Sequence, residues 1–346
     1  MKPLQDLLVN ASRSPKMIAL SEDADARVIK AAIKARQDNV AKIILVGRQA
    51  TILSQLTDLG GSDIDGIDIQ DPAESSYFDD FAKTYYELRK HKGVSLDDAF
   101  DAMRQPHVYA AMLVRQGLAG GTVGGAVTTT ADIVRAAIQV IGPGPGSKMV
   151  SSFFLMLYCK EHHSKKGAYV FADCGLVVDP NAVELAEIAR ASAKPFQALT
   201  GQDPRVAMLS FSTHDSASHE SVTKVATATD LARTSDPALM IDGELQFDAA
   251  FVPEVAAAKA KGSVLDGEAN VFVFPNLDSG NIAYKIAQRV GGASVVGPVL
   301  QGLAKPANDL SRGCSAEDVL HMIAVTCAQA NARAFAETEL NLEEVS

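Results

Sequence analysis

Short apolar runs, each followed by a stretch whose apolar residues recur at helical spacing, repeat along almost the whole chain, and this alternation narrows the possible folds more than any other feature. "KMIAL" (16–20) leads into "SEDADARVIKAAIKARQDN", and "AKIILVG" (41–47) follows as a buried strand ending in glycine. The same order returns in "AYVFADCGLVV" (168–178) with "DPNAVELAEIARASA", in "RVAMLSFS" (205–212) with "SVTKVATATDLART", and in "ANVFVFPN" (269–276) with "SGNIAYKIAQRVGG". A strand that is apolar at every position has no solvent face and must be covered on both sides. Intervening helices supply that cover and allow parallel pairing through crossovers. The expected class is α/β, with three-layer α/β/α domains on mainly parallel sheets.

A chain of 346 residues exceeds what a single core usually serves, so two domains are expected. The proline- and glycine-rich stretches "IGPGPGSK" (141–148) and "GGASVVGPVLQG" (291–302) are candidate crossings. Only about forty-five residues follow the second, too few for a core of their own. They are therefore expected to return to the first domain, giving a discontinuous domain of 1–145 plus 300–346 around an inserted domain of 146–299. A double crossing leaves an interdomain cleft, a common place for a ligand.

Charge narrows the function. Against 32 Lys and Arg stand 42 Asp and Glu, a net charge of -10, which argues against nucleic-acid or anionic-membrane partners and leaves small anions held by a local basic cluster. No apolar run approaches the roughly 20 residues that span a bilayer, and "MKPLQDLLVNASRS" lacks signal-peptide features. Cys159, Cys174, Cys314 and Cys327 occur singly, which fits a reducing compartment and argues against a zinc site or a disulfide framework. The cytoplasm is the expected location. No His, Asp or Glu grouping has metal-ligand spacing, and the adjacent His162 and His163 are expected to point apart.

Three stretches carry candidate chemistry. "AGGTVGGAVTTTADIVRAAIQ" (119–139) reads as a glycine-rich strand, a threonine run and a helix, with Thr129 or Thr130 as N-cap and Arg135 able to hold a phosphate with its fork. Neither the P-loop pattern nor G-x-G-x-x-G is present, so close strand–helix packing explains the glycines better than a phosphate cradle. "YYELRKHKGVSLDDAF" (85–100) holds the densest positive cluster, Arg89, Lys90, His91 and Lys92, followed by Ser95 and Asp98 at capping-box spacing. Cations at a helix C-terminus are the plainer account of that cluster.

"KPANDLSRGCSAEDVLHMI" (305–323) is the third. A purely structural reading has Asn308 and Asp309 shaping a turn, Gly313 at positive φ, and Ser315 with Asp318 as a capping box. It leaves Ser311 and Arg312 unexplained. In a functional reading the same corner converges a hydroxyl donor, a phosphate ligand and a base, and a capped helix is a rigid mount for them. A Ser311–Asp318–His321 triad is also possible on spacing, though G-x-S-x-G is absent.

The stretch "ANVFVFPNLDSGNIAYKIAQRVGGASVVGPVLQGLAKPANDLSRGCSAEDV" closely resembles the C-terminal signature of phosphate acetyltransferases (phosphotransacetylases). "FADCGLVVDPN", "MLSFST", "DGELQFDAAFVPEV" and "TTADIVRAAIQ" match other parts of the same family, so the resemblance runs nearly end to end. It implies reversible transfer of an acetyl group between coenzyme A and inorganic phosphate, through acetyl phosphate, by a two-domain α/β subunit that is usually a homodimer. It further implies Asp318 as the base for the coenzyme A thiol, Ser311 and Arg312 as the pair holding acetyl phosphate, and Arg89 and Arg135 as coenzyme A and substrate ligands; Thr130 joins them as a substrate-binding candidate at the helix start. Coenzyme A is a substrate, and no metal is expected. Gly120, Gly121, Thr128 and the segment 154–170 depart from the family pattern and bear on acyl-chain preference.

Attack on acetyl phosphate needs a deprotonated sulfur. A thiol near pKa 8.5 facing an ordinary carboxylate is uphill by about 4.6 units, roughly 6 kcal/mol. Deprotonation must therefore be concerted with attack, or the carboxyl desolvated. Ser311 suits a donor better than a nucleophile, so direct transfer in a ternary complex is expected. The alternatives are a phosphate butyryltransferase, a non-catalytic acyl-CoA sensor like the related domains fused to malic enzymes, and, least supported, a nicotinamide-dependent dehydrogenase.

Overall fold

The first strands of the chain are β1 (Met17–Leu20), β2 (Lys42–Val46), β3 (Ile67–Gln70) and β4 (Gly121–Gly124), in a computed structural model that describes residues 2–22, 25–61 and 65–343. Six more follow: β5 (Ser151–Tyr158), β6 (Gly167–Ala172), β7 (Arg205–Leu209), β8 (Met240–Leu245), β9 (Val271–Val273) and β10 (Ser294–Gln301). The short β11 (Ala307–Asp309) comes last. The helices that matter below are α1 (Ala26–Gln37), α2 (Phe78–Arg89), α3 (Leu96–Met103), α4 (Thr130–Ala136), α5 (Leu277–Arg289) and α6 (Ala316–Glu343).

By contacts the chain divides into two units, Leu4–Gly146 with the segment from Leu303 onward, and Ser147–Gly302. The first unit holds a sheet of order β11-β4-β1-β2-β3 in which every pairing is parallel. Its strands are short and apolar because helices cover them: α1 buries Val28, Ile29, Ala31, Ala32, Ile33 and Ala35, a stripe with helical period. Asp25 caps α1 by accepting from Arg27 N at 2.8 Å. β4 is glycine-rich for want of space: a Cβ on Gly121 would lie 2.4 Å from Thr326 Cγ2 of α6.

The second unit carries a sheet of order β10-β5-β6-β9-β7-β8. The β6–β9, β9–β7 and β7–β8 pairs are parallel, while β10–β5 and β5–β6 are antiparallel. The strand–helix alternation does not announce these antiparallel pairs, because no helix separates β5 from β6. Most of the stretch 291–302 is the strand β10 rather than a linker. An aromatic core including Phe154, Tyr169, Phe171, Phe272 and Phe274 fills this unit. His162 and His163 do not point apart: in the turn between β5 and β6 both bring Nε2 to the Gly291 carbonyl, at 3.0 and 2.8 Å. Adjacent side chains diverge on a strand, not in a turn.

Candidate active site

The carboxyl ends of β11, β4 and β1 lie side by side, the edge of an open parallel sheet where ligands commonly bind. Directly after β1, the buried Glu22 carboxylate accepts four backbone hydrogen bonds from the loop after β4: Gly125 N (2.9 Å), Ala126 N (2.7 Å), Val127 N (3.0 Å) and Thr128 N (2.8 Å). A buried charge needs such compensation. The amides that a phosphate cradle would use are thus filled by the protein's own carboxylate, and the packing account of this glycine loop is the right one. Gly125 has φ +106, and a Cβ there would sit 2.2 Å from Asp309 Oδ1.

Asp309 is 1% exposed. Its Oδ2 accepts from Thr130 Oγ1 at 2.6 Å, while Oδ1 has no hydrogen-bond partner among the described residues. Burial pushes its pKa up to about 7; the Thr130 hydrogen bond opposes this and the Glu22 charge adds to it. Asn308 and Asp309 therefore do not shape a turn. They belong to β11, and Asn308 is buried with its Nδ2 donating to Thr326 Oγ1 (2.8 Å) and Gln329 Oε1 (2.7 Å) of α6. Thr129 is the N-cap of α4, accepting from Asp132 N at 3.2 Å, and the Thr130 hydroxyl is committed to Asp309.

Past β11 the chain turns through Ser311, Arg312 and Gly313 into α6. Arg27, on the first turn of α1, donates from Nη1 to the carbonyls of Arg312 and Cys314, both at 2.8 Å, and from Nη2 to the carbonyl of Ala126 at 2.9 Å. Asp25 accepts from its Nε (3.0 Å) and its Nη2 (2.7 Å). Arg312 itself is exposed, and its guanidinium has no protein partner among the described residues. Gly313 is not in the left-handed region; the turn closes instead with Cys314 N donating to the Ser311 carbonyl at 2.9 Å. Ser311 Oγ accepts from Gly313 N at 3.3 Å.

Asp318 forms the expected capping box. Its Oδ2 accepts from Ser315 N (2.8 Å) and Ser315 Oγ (2.9 Å), and its own N donates to Ser315 Oγ at 3.1 Å. Its Oδ1 has no hydrogen-bond partner among the described residues. The buried Cys314 thiol is pushed up by burial, with Arg27 opposing and Asp318, Asp25 and Glu22 adding, so these groups share one electrostatic neighbourhood. The Ser311–Asp318–His321 triad is not assembled: His321 is buried, and its Nε2 faces Glu317 at 3.9 Å.

Arg89 ends α2 and Arg135 lies on α4. Both stand near enough to Tyr85 to oppose the rise that burial gives its phenol, whose hydroxyl donates to Gln139 Oε1 at 2.9 Å. Arg135 is paired with Asp132 at 2.6 Å. Arg89 has no ion pair among the described residues, and its Nε is buried without a hydrogen-bond partner. His107 connects this side to the strand ends: burial lowers its pKa, Asp132 and Glu22 raise it, and Arg135 lowers it. Among the described residues no cluster of three or more His, Cys, Asp or Glu is placed to hold a metal ion.

All six residues singled out in the sequence thus belong to the first unit, Ser311, Arg312 and Asp318 at one corner and Arg89, Arg135 and Thr130 around α4. Glu22, Arg27 and Asp309 join the two groups and were not anticipated. A carboxylate directly ending or following a buried strand was the available signal for Glu22 and Asp309.

A family model described as Phosphate acetyl/butaryl transferase matches residues 4–327. The phosphate acetyltransferase of Acetivibrio thermocellus is 47% identical over 327 residues, 94% of this chain and 98% of that protein. That of Paracoccus denitrificans is 46% identical over 329 residues, covering 95% and 99%. Among solved structures, a phosphotransacetylase from Streptococcus pyogenes superposes with a TM-score of 0.89 at 45% identity, covering 95% of this chain and 98% of that one. Matched along nearly its whole length, with the serine, arginine and aspartate of the signature mounted on one corner, the chain belongs to the phosphate acetyl/butyryl transferase family.

Proposed function

We propose that the chain is a phosphate acetyltransferase, moving an acetyl group reversibly between acetyl-CoA and inorganic phosphate. The observation that carries this reading is an unpaired guanidinium, Arg312, on a turn whose backbone Arg27 holds, leading into a helix whose first turn carries a carboxylate, Asp318, with one oxygen fixed and one free. In the direction of acetyl-CoA synthesis, Arg312 takes the phosphoryl oxygens of acetyl phosphate with its planar fork. The coenzyme A thiol gives its proton to Asp318 Oδ1 as sulfur attacks the acetyl carbonyl, in one concerted step. Ser311 donates a hydrogen bond to the reacting group. The C–S bond forms, the C–O bond to phosphate breaks, and phosphate leaves against the Arg312 charge. No acyl-enzyme forms, and holding both substrates together supplies much of the rate. Arg89 and Arg135 bind the anionic end of coenzyme A.

The working form is proposed to be a homodimer. Supporting this, Ile282 and Ile286 of α5 and Val290 just beyond it, one helical turn apart from each other, are 57%, 55% and 82% exposed. The four cysteines are all unpaired, in keeping with work in a reducing cytoplasm. The test is thiol release from acetyl-CoA in the presence and absence of phosphate, repeated with butyryl-CoA. Phosphate-dependent release with acetyl-CoA preferred is the expected result; release that ignores phosphate, or none, overturns the reading.

A further inference from the structure

A guanidinium has five N–H donors in a fixed fork, and in Arg27 all five have acceptors. Nη1 serves the carbonyls of Arg312 and Cys314, Nη2 serves Ala126 O and Asp25, and Nε serves Asp25. The acceptors come from three separate segments: the turn at 311–314, the loop at 125–128, and the N-cap of α1. The 125–128 loop cannot drift with the turn, because its amides are held independently by Glu22. Asp25 in turn cannot swing away, since it caps α1 through Arg27 N. The backbone of Arg312 is therefore tied to two fixed points while its side chain is left unpaired.

We infer that Arg27 is a positioning residue for the transfer reaction, which sets where the Arg312 guanidinium stands without touching substrate. This rests on the transferase reading above. A lysine keeps the charge but offers one ammonium in place of a fork, so it cannot span two carbonyls on one segment, a third on another and a carboxylate. Arg27→Lys should consequently be nearly as damaging as Arg27→Gln. Misplacing a catalytic group by about 1 Å can cost on the order of 100-fold in rate.

The experiment measures kcat and both KM values for wild type, Arg27→Lys, Arg27→Gln, Arg312→Lys and the Arg27→Lys/Arg312→Lys double variant, with Tm and amide hydrogen exchange alongside. The expected result is a kcat lower by about 100-fold in both Arg27 variants, KM for acetyl-CoA and phosphate within about threefold, and faster exchange confined to residues 311–315, with the Glu22-held amides of 125–128 unchanged. The double variant should be within about threefold of Arg312→Lys alone, because a residue acting through Arg312 has nothing further to lose. Three results overturn the inference: kcat per folded molecule unchanged with only Tm lowered, a raised KM with kcat kept, or losses that multiply in the double variant. A wild type without phosphate-dependent thiol release sinks the transferase reading instead, and the exchange measurement still decides whether Arg27 holds the turn.

Discussion

The first unit contains two capping boxes that are nearly superposable in their distances. At the start of α3, Asp98 Oδ2 accepts from Ser95 N at 2.9 Å and Ser95 Oγ at 2.6 Å, and Asp98 N donates to Ser95 Oγ at 3.1 Å. At the start of α6, Asp318 repeats the set at 2.8, 2.9 and 3.1 Å. Both carboxylates are exposed, and each has one oxygen left over by the box. The local motif therefore does not make a base. What differs is the approach to it. Ser95 follows a 3-10 turn of Lys90–Lys92 and a left-handed Gly93, all exposed. Ser315 follows a buried cysteine and a turn whose carbonyls are held by Arg27, with Arg312 free above it. A cap mounts a carboxylate; its neighbours decide whether anything reactive comes to meet it.

One pair of variants separates the two boxes most sharply. Asp318→Asn keeps an acceptor for Ser315, so the box and the fold should persist, but kcat should fall by about 1,000-fold with the loss of the base. Asp98→Asn should lose as little stability, well inside the roughly 0.5–2 kcal/mol that removing a helix cap costs, and keep its turnover. Steady-state kinetics with thermal melts on both variants check this; equal turnover in the two would reduce Asp318 to a cap.

A smaller effect separates binding from chemistry. Arg89→Ala, beside the first box, should raise KM for coenzyme A by about 10- to 100-fold, the equivalent of one charge-assisted contact, with a lesser change in kcat. Arg135→Ala should do less, because in the free protein its guanidinium already has Asp132 as partner. Initial rates against coenzyme A concentration give both values. A collapse of kcat for Arg89→Ala with KM unmoved would place reactive chemistry beside the wrong box.

The smallest effect concerns the floor under the second corner. Asp309 holds its proton up to about pH 7 in the folded protein, against an ordinary carboxyl value of 3.8. Between those values the folded state binds more protons than the unfolded one, so this group's contribution is greatest below pH 3.8 and is lost as pH rises towards 7. Asp309→Asn removes the dependence. Its Tm should gain on wild type by a few degrees between pH 4 and 7 and hold that gain above. A constant difference across that range would mean Asp309 is ionised throughout.

Much of the fold was legible because period and composition are local properties. A run such as "KIILV" between turn signals reads as a covered strand, whereas at the site spacing left only Ser311 and Arg312 beyond what a turn and a cap require, and the roles expected of Asp318, Arg89 and Arg135 came from the family resemblance. Glu22, Arg27 and Asp309 were hidden for a common reason. Each acts on segments remote in the chain: Arg27 reaches a carbonyl 285 residues away, and Glu22 receives amides more than 100 residues on. Nothing in the spacing around them records such partners. Asp309 was also disguised by Asn308, since the pair reads as turn formers, whereas their burial is imposed by β4 on one side and α6 on the other.

The seating of Glu22 in the four amides of the 125–128 loop has a consequence for selectivity among oxyanions. With that backbone socket plugged from within, sulfate or a stray phosphate cannot lodge there and jam the site. Anions are then left to donors that remain open, such as the Arg312 guanidinium on the turn that Arg27 holds.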